Sequence, residues 1–202
     1  MFALVQDGSI VKMLNGNRGI TINGNQYPRA IYTLWSKSER EAIGIYEVVW
    51  DNTNKEDAEW YTNTNVSYAF GNGKVTASYG SPTAKPHADT LYTADDEDNG
   101  LGTEGEVKAK GLKTIRIHQI KSQTESELYN TDWYIVRKAD TGTAVPSAIT
   151  THRAAVRTKC AEMEAAITNA ADTPALRALY TYTTQEDGSV TRPLGELPMT
   201  KE

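Results

Sequence analysis

The segment Leu128-Tyr129-Asn130-Thr131-Asp132-Trp133 decides how the C-terminal half of the chain is organised. Before it, Thr103 and Glu106 have the spacing of a capping box, and apolar residues recur at helical spacing up to Leu128, which predicts a first helix. The polar residues Asn130-Thr131-Asp132 predict a break. A second helix opens at Pro146-Ser147, and its apolar stripe consists of Ile149, Val156, Cys160, Met163 and Ile167. We therefore expect two antiparallel helices that bury these stripes.

The same segment carries a spaced motif. Thr131-Asp132-Trp133 is followed, after a spacer, by the pair His152-Arg153 and then by Arg157. This pattern resembles tail-assembly and tail-fibre-associated proteins of tailed bacteriophages, in which the aromatic-Arg pair is Tyr-Arg. The resemblance implies a building or assembly role, with other tail or fibre proteins or further copies of the chain as partners. The partner contacts would then fall on Asp132, Trp133, His152, Arg153 and Arg157.

The motif also has a purely structural interpretation. Thr131 or Asp132 would cap the break, and Trp133 would fill the angle between the two helices. Arg153 or Arg157 would pair with Asp132 or with a carboxylate of a partner. The sequence leaves open whether the chain remains in the virion or acts as an assembly chaperone.

Residues 1–80 have the alternation and the turn residues of a β-rich module. Asp7-Gly8, Asn23-Gly24 and Gly71-Asn72-Gly73 each separate two short β-prone runs, which predicts hairpins. A capping box at Ser36–Glu39 predicts one short helix between them. This block resembles a small β-rich module at the front of tail proteins in marine and myovirus-type phages.

Changes in composition divide the remainder of the chain. Residues 81–102 contain two prolines and the acidic run Asp95–Asp98, which predicts an exposed connector. Residues 103–182 form the helical module, and residues 183–202, which lack a sustained period, are expected to be an extended tail. The predicted fold class is therefore α+β: a β-rich N-terminal module of antiparallel hairpins followed by a C-terminal antiparallel helical region.

Composition excludes several classes of partner. The formal net charge is -5 and the basic residues are scattered, which argues against nucleic acid because phosphate binding needs clustered cations. The longest apolar runs are only a few residues, too short for a membrane span. The single cysteine, Cys160, lies on the apolar stripe, so we interpret it as a small buried hydrophobe rather than a nucleophile.

No catalytic or cofactor motif appears in the sequence, and we expect no cofactor. The three histidines are far apart, and none lies in a zinc-binding frame. Counting Asp95 as the first position, Glu97 falls third, Asn99 fifth and Glu106 twelfth, which approaches the ligand spacing of a calcium-binding EF-hand. The alternative is a solvated acidic turn. We prefer that alternative, so no metal is expected.

Aromatic residues beside amide-rich turns raise a different hypothesis. Trp50 precedes Asp51-Asn52-Thr53-Asn54, and Trp60-Tyr61 precedes a similar Thr/Asn run. Flat rings beside hydrogen-bonding side chains could stack on a host surface glycan. In strands, however, Trp and Tyr are more often packing residues. Exposure of Trp50, Trp60 or Tyr61 would favour the glycan.

These observations together predict a non-enzymatic structural protein of a phage tail, tail fibre or baseplate that acts through protein–protein contacts. An assembly chaperone and a glycan-binding receptor module are the alternatives. The expected location is the virion, or the host cytoplasm during assembly.

Overall fold

The computed structural model describes residues 1–199 and divides the chain into two compact units. The first unit is Met1–Thr83 and the second begins at Ala84. The first is β-rich and the second is mainly helical, so the predicted α+β class is confirmed. The segment predicted to be a connector, residues 81–102, lies mostly in the second unit, where the carbonyls of Pro86 and His87 accept from the amides of Leu112 and Lys113.

The first unit contains eight strands and two short helices, and its last residue opens a ninth strand. Their bounds are β1 Phe2–Gln6, β2 Ser9–Leu14, β3 Ile20–Ile22, β4 Asn25–Tyr27, α1 Ile31–Leu34, α2 Lys37–Ala42, β5 Ile45–Asp51, β6 Tyr61–Thr62, β7 Ser67–Gly71, β8 Lys74–Ser78 and β9 Thr83–Ala84.

The three predicted hairpins are confirmed. β1 pairs with β2, β3 with β4 and β7 with β8, all antiparallel. Asp7-Gly8, Asn23-Gly24 and Asn72-Gly73 all have positive φ at both residues, the conformation that tight hairpin turns require. The capping box on α2 also forms: the Ser36 hydroxyl accepts from the Glu39 amide, and the Glu39 carboxylate accepts from the Ser36 amide at 2.7 Å.

The main sheet has the strand order β2-β1-β5-β8-β7 and is not purely antiparallel. β5 and β8 run parallel, with Val48 opposite Val75 and Trp50 opposite Ala77. A parallel pair needs a long crossover connection, and here the segment from β6 to β7 provides it. The prediction of hairpins alone did not include this pairing.

Two apolar clusters cover opposite faces of this sheet. Ala3 and Val5 of β1 join Val48, Val75 and Ala77 in one cluster. Leu4, between them in sequence, points to the other face, where Ile31 and Ile45 are fully buried. The end strands β2 and β7 approach each other, so the sheet curves around the first cluster.

The second unit contains the longer helices. Its elements after β9 are β10 Thr90–Leu91, α3 Ala94–Asp98, β11 Val107–Ala109, α4 Leu112–Tyr129, α5 Asp132–Thr141, α6 Ser147–Asn169, α7 Thr173–Tyr180, β12 Thr183–Thr184 and β13 Val190–Thr191.

Helix α4 begins at Leu112, so the prediction that it opens at Thr103 is wrong. The residues after Glu106 form β11, which pairs with β10, and this pairing competes with the helix. Gly111 is the N-cap, and its amide donates to the Asp89 carboxylate at 2.7 Å. A Cβ on Gly111 would lie 2.2 Å from a backbone oxygen, so only glycine fits.

Helices α4 and α6 pack as an antiparallel pair. Lys113 bonds Thr168 near one end, and Glu127 contacts His152 near the other. The predicted apolar stripe of α6 is confirmed, with Val156, Cys160, Met163 and Ile167 buried and Ile149 half-buried. The buried positions of α4 repeat every four residues, and two of the four are polar: Leu112, Arg116, Ile120 and Thr124.

Helix α7 has Asp172 as its N-cap, and the Asp172 carboxylate accepts from the Ala175 amide at 2.8 Å. The segment after it is not an extended tail. β12 and β13 form a hairpin, and Leu194 returns to the unit with 2% exposure. Burying a leucine contributes about 2 kcal/mol, which an extended tail would forgo. The last three residues of the predicted tail, 200–202, lie outside the described residues.

Within the described residues, no helix combines the length and apolarity that crossing a bilayer requires.

Candidate functional site: the Arg153 joint and helix α5

The predicted break between α4 and α5 is confirmed, and Thr131 occupies its centre. Thr131 is 2% exposed, and its hydroxyl donates to the Leu128 carbonyl at 3.0 Å. It therefore does not cap α5 through its side chain. The hydroxyl instead satisfies a carbonyl at the end of α4, one of the groups that a helix terminus leaves without an intrahelical partner.

Arg153 of α6 holds this joint. The side chain is buried, and its Nη1 donates to the Leu128 carbonyl at 2.7 Å and to the Thr131 hydroxyl at 2.6 Å. Its Nη2 lies 2.8 Å from Oδ1 of Asp132, the first residue of α5. One guanidinium group thus links the end of α4 with the start of α5, because its planar fork donates in several directions.

The other two motif residues on α6 have different surroundings. His152 Nε2 lies 3.1 Å from Glu127 Oε1 on α4, and both side chains are largely buried. Arg157 is exposed. Of the two arginines predicted to pair with Asp132, the structure therefore selects Arg153. We define the Arg153 joint as Leu128, Thr131, Asp132 and Arg153.

Trp133 does not fill the angle between the helices, so that prediction is wrong. The side chain is 52% exposed, and its ring packs on Tyr134 with the centroids 4.0 Å apart. The guanidinium of Arg137 lies over both rings, at 4.6 Å from the Trp133 centroid and 5.3 Å from the Tyr134 centroid. Arg153 and Thr131 occupy the interior of the joint instead, and their polar groups donate hydrogen bonds to the Leu128 carbonyl at the end of α4.

Helix α5 has no buried residue. It exposes Ile135 at 44% and Val136 at 66%, and Tyr129 just before it is 76% exposed. We call Trp133, Tyr134, Val136 and Arg137, which neighbour one another at i+3 and i+4 spacing or by ring contact, the α5 surface. A ten-residue helix without a buried residue gains little free energy from packing, so its position depends on the contacts at its two ends. Asp132 anchors the first turn, and Gly142, with φ of 75°, closes the last.

Sequence reasoning missed α5 as a separate helix. Some terminal signals were present: Asp132 is an acidic residue in the first turn, Lys138 lies in the last turn and Gly142 follows the helix. Between the break at Asn130-Thr131-Asp132 and Pro146 the sequence pattern predicted only a spacer, and Trp133–Val136 are residue types that favour strands over helices.

Cys160 lies on α6 near the joint, and its thiol donates to a Glu164 carboxylate oxygen at 3.3 Å. Glu164 also pairs with Lys121 of α4, at 3.1 Å. Burial raises the pKa of the Cys160 thiol, and the hydrogen bond to Glu164 acts in the same direction. A thiol held protonated is a poor nucleophile, in agreement with its interpretation as a buried hydrophobe.

The acidic segment does not have the conformation of a calcium loop. Asp95 and Glu97 lie within α3, and Asn99 caps its end. A Glu97 oxygen accepts from the Glu104 amide at 3.0 Å, so its carboxylate is engaged by backbone. EF-hand ligands instead surround one ion from a loop. Among the described residues, no three acidic, histidine or cysteine side chains are placed to hold a metal.

Asp96 has the most specific contacts in that segment. Its carboxylate accepts from Lys108 of β11 at 2.6 Å and from the Thr93 amide at 3.0 Å. The Lys108 bond first, and the backbone bond second, lower the pKa of Asp96 to about 2. The carboxylate thereby ties α3 to β11, a structural role.

The three aromatic residues predicted to face a glycan are not equivalent. Trp60 is 3% exposed, so it is a packing residue and the prediction is wrong for it. Tyr61, in β6, is half-buried. Trp50 is 40% exposed at the end of β5, and its ring stacks on Tyr79 with the centroids 5.1 Å apart.

No protein-family model, no curated protein and no solved structure matches the chain.

Proposed function

We propose that the chain is a non-enzymatic structural protein of a bacteriophage tail, tail fibre or baseplate, which acts through protein–protein contacts at the α5 surface. The observation that carries the proposal is the contrast within the joint. Arg153 holds the junction of α4 and α5 with two hydrogen bonds and an ion pair to Asp132, yet α5 contains no buried residue.

The composition of the α5 surface supports a protein partner. Tryptophan, tyrosine and arginine are the residue types that dominate binding energy at protein interfaces. Here Trp133, Tyr134 and Arg137 are stacked on one another, which fixes their conformations before a partner arrives. Such preorganisation lowers the entropy cost of binding. Val136, 66% exposed and three residues after Trp133, adds exposed apolar area beside them.

The groups of the Arg153 joint support a structural role for the motif. The two Nη atoms of Arg153 are engaged by Leu128, Thr131 and Asp132. The residues that resemble the phage motif thus do two things: Arg153 and Asp132 set the geometry, and Trp133 is presented outward. This assignment accounts for the spacing of the motif without a chemical reaction.

An assembly chaperone would use the same surface but would leave the particle. Quantitative mass spectrometry of gradient-purified virions of the phage that encodes the chain separates the two roles. We expect the chain at a fixed copy number relative to the tail proteins. A chain abundant in the infected cell but absent from purified particles would establish the chaperone instead.

A variant pair tests the surface itself. Trp133→Ser with Val136→Ser removes the apolar side chains without touching the joint, and we expect the chain to be lost from particles or the particles not to assemble. Leu34→Ser is the matched control, because Leu34 is an 80% exposed apolar residue of the other unit. Normal incorporation of the double variant would refute the α5 surface as the contact.

A further inference from the structure

A second set of exposed aromatic residues lies in the first unit, on the main sheet. Trp50 of β5 is opposite Ala77 of β8, and Ala77 is opposite Tyr68 of β7. Directly opposed residues point to the same face, so these three form one row across three neighbouring strands. Trp50 is 40% exposed, Tyr68 is 37% exposed and Ala77 is fully buried.

The row continues the buried core of the sheet toward solvent. The preceding row on the same face consists of Val48, Val75 and Phe70, which belong to the core. Tyr79 follows Ala77 by two residues and stacks on Trp50, with 29° between the ring planes. We call Trp50, Tyr68 and Tyr79 the aromatic row. Trp50 and Tyr68 are two strand spacings apart, roughly 10 Å between their Cα atoms.

The area of this row decides between a protein and a small ligand. An aromatic side chain offers about 150–250 Å² in total. At about two-fifths exposure, Trp50 and Tyr68 together present on the order of 150 Å². A stable protein interface needs about 800 Å² from each partner, so this patch suits a narrow ligand that lies along it.

The polar groups shown beside the row disfavour a cationic ligand. Lys55, in the loop after β5, places its ammonium 5.9 Å from the Tyr79 ring centroid. A cation already beside the ring disfavours a second cation there. The Asn54 side-chain amide donates to the Tyr79 carbonyl at 3.2 Å, so a short hydrogen-bonding side chain forms a polar rim at this end of the row.

We propose that the aromatic row binds a neutral saccharide chain, whose sugar rings stack on Trp50 and Tyr68 while their hydroxyl groups face the polar rim. A sugar ring has an apolar face of C–H groups and an edge of hydroxyl groups, which match these two kinds of surface. The spacing of the two rings is of the order of a disaccharide length. The site lies in the first unit and does not depend on the α5 surface.

Titration calorimetry of the full chain tests the proposal, with cellohexaose, maltohexaose and chitohexaose as probes and an oligothymidylate as a competitor class. We expect at least one hexasaccharide to bind in the micromolar to millimolar range. Trp50→Ala and Tyr68→Ala should each weaken that binding by about tenfold or more, the scale of an interface hot spot. Trp50→Phe, which keeps a flat ring, should retain most of the affinity.

Trp133→Ala is the matched control, because it removes an exposed tryptophan from the other unit. Its saccharide affinity should equal that of the natural chain. Circular dichroism shows whether a variant is folded; should Trp50→Ala misfold, Tyr68→Ala decides, since Tyr68 is exposed on an end strand of the sheet. The proposal is overturned if no hexasaccharide binds at millimolar concentration, if only the oligothymidylate binds, or if the Tyr68 and Trp50 variants bind like the control.

Discussion

Replacing Arg153 by methionine tests the joint, because methionine keeps much of the side-chain volume and removes every donor. Two bonds, to the Leu128 carbonyl and the Thr131 hydroxyl, have charged donors in buried surroundings and contribute about 1.5 kcal/mol each. The contact with Asp132 contributes about 0.5 kcal/mol, since that carboxylate is half exposed and screened by water. We therefore expect Arg153→Met to lower the free energy of unfolding of the helical unit by about 3–3.5 kcal/mol.

The measurement is thermal and urea unfolding followed by circular dichroism at a helix wavelength, which reports mainly on the second unit. A loss of about 3–3.5 kcal/mol corresponds to a decrease in Tm on the order of 10 °C for a unit of this size. Arg157→Met is the control on the same helix, because Arg157 is exposed and its replacement should change the stability by less than about 0.5 kcal/mol. Equal stability of the two variants would refute the role assigned to Arg153.

Three further predictions follow from local geometry. Gly111→Ala should destabilise the helical unit by more than about 2 kcal/mol, because the added Cβ would collide with backbone atoms. Gly71→Ala is the control and should be tolerated, since the space around its added methyl group is open. Comparable Tm values for the two variants would contradict this prediction. Cys160 should react with a thiol reagent much more slowly in the folded chain than in urea, since burial raises its pKa; equal rates would show that the thiol is accessible. The Asp96 carboxyl should titrate near pH 2 by NMR. Because its pKa is lowered by folding, its contribution to stability is present above the ordinary Asp pKa and is lost as the pH falls through about 2. In Lys108→Met the titration midpoint of Asp96 should rise, and an unchanged midpoint would argue against the Asp96–Lys108 ion pair.

Local signals predicted the local elements of this fold. The hairpin at Asn23-Gly24 and the capping box at Ser36–Glu39 each depend on a few adjacent residues, and both form as predicted. The apolar stripe of α6 could also be predicted, because it repeats over several helical turns and consists of apolar residues. Elements that are determined by a short stretch of sequence could therefore be predicted from it.

Elements that depend on distant partners were not predictable in this way. The parallel pairing of β5 with β8 requires the crossover between them, which has no local signature. The capping-box spacing at Thr103 was overridden because Val107–Ala109 pairs with β10 instead. Local propensity is a weak prior when a strand partner is available.

The site was predicted in part for a related reason. The motif predicted that Arg153 or Arg157 would pair with Asp132 or with a partner's carboxylate, and the structure shows Arg153 paired with Asp132. Trp133, which was expected to fill the angle between the helices, is exposed, and Arg153 is buried there instead. Satisfying the carbonyl of Leu128 and the hydroxyl of Thr131 favoured a buried arginine, and a one-dimensional pattern does not show which groups need a donor.

Hydroxyl-radical footprinting of Trp133 in purified virions, compared with the isolated chain, tests the central claim most directly. In the isolated chain Trp133 is half exposed and should oxidise readily. If the α5 surface is the contact through which the chain is built into the tail, Trp133 should be protected in the particle while exposed Leu34 remains reactive. A chain that is present in virions with Trp133 as reactive as in isolation would contradict the account.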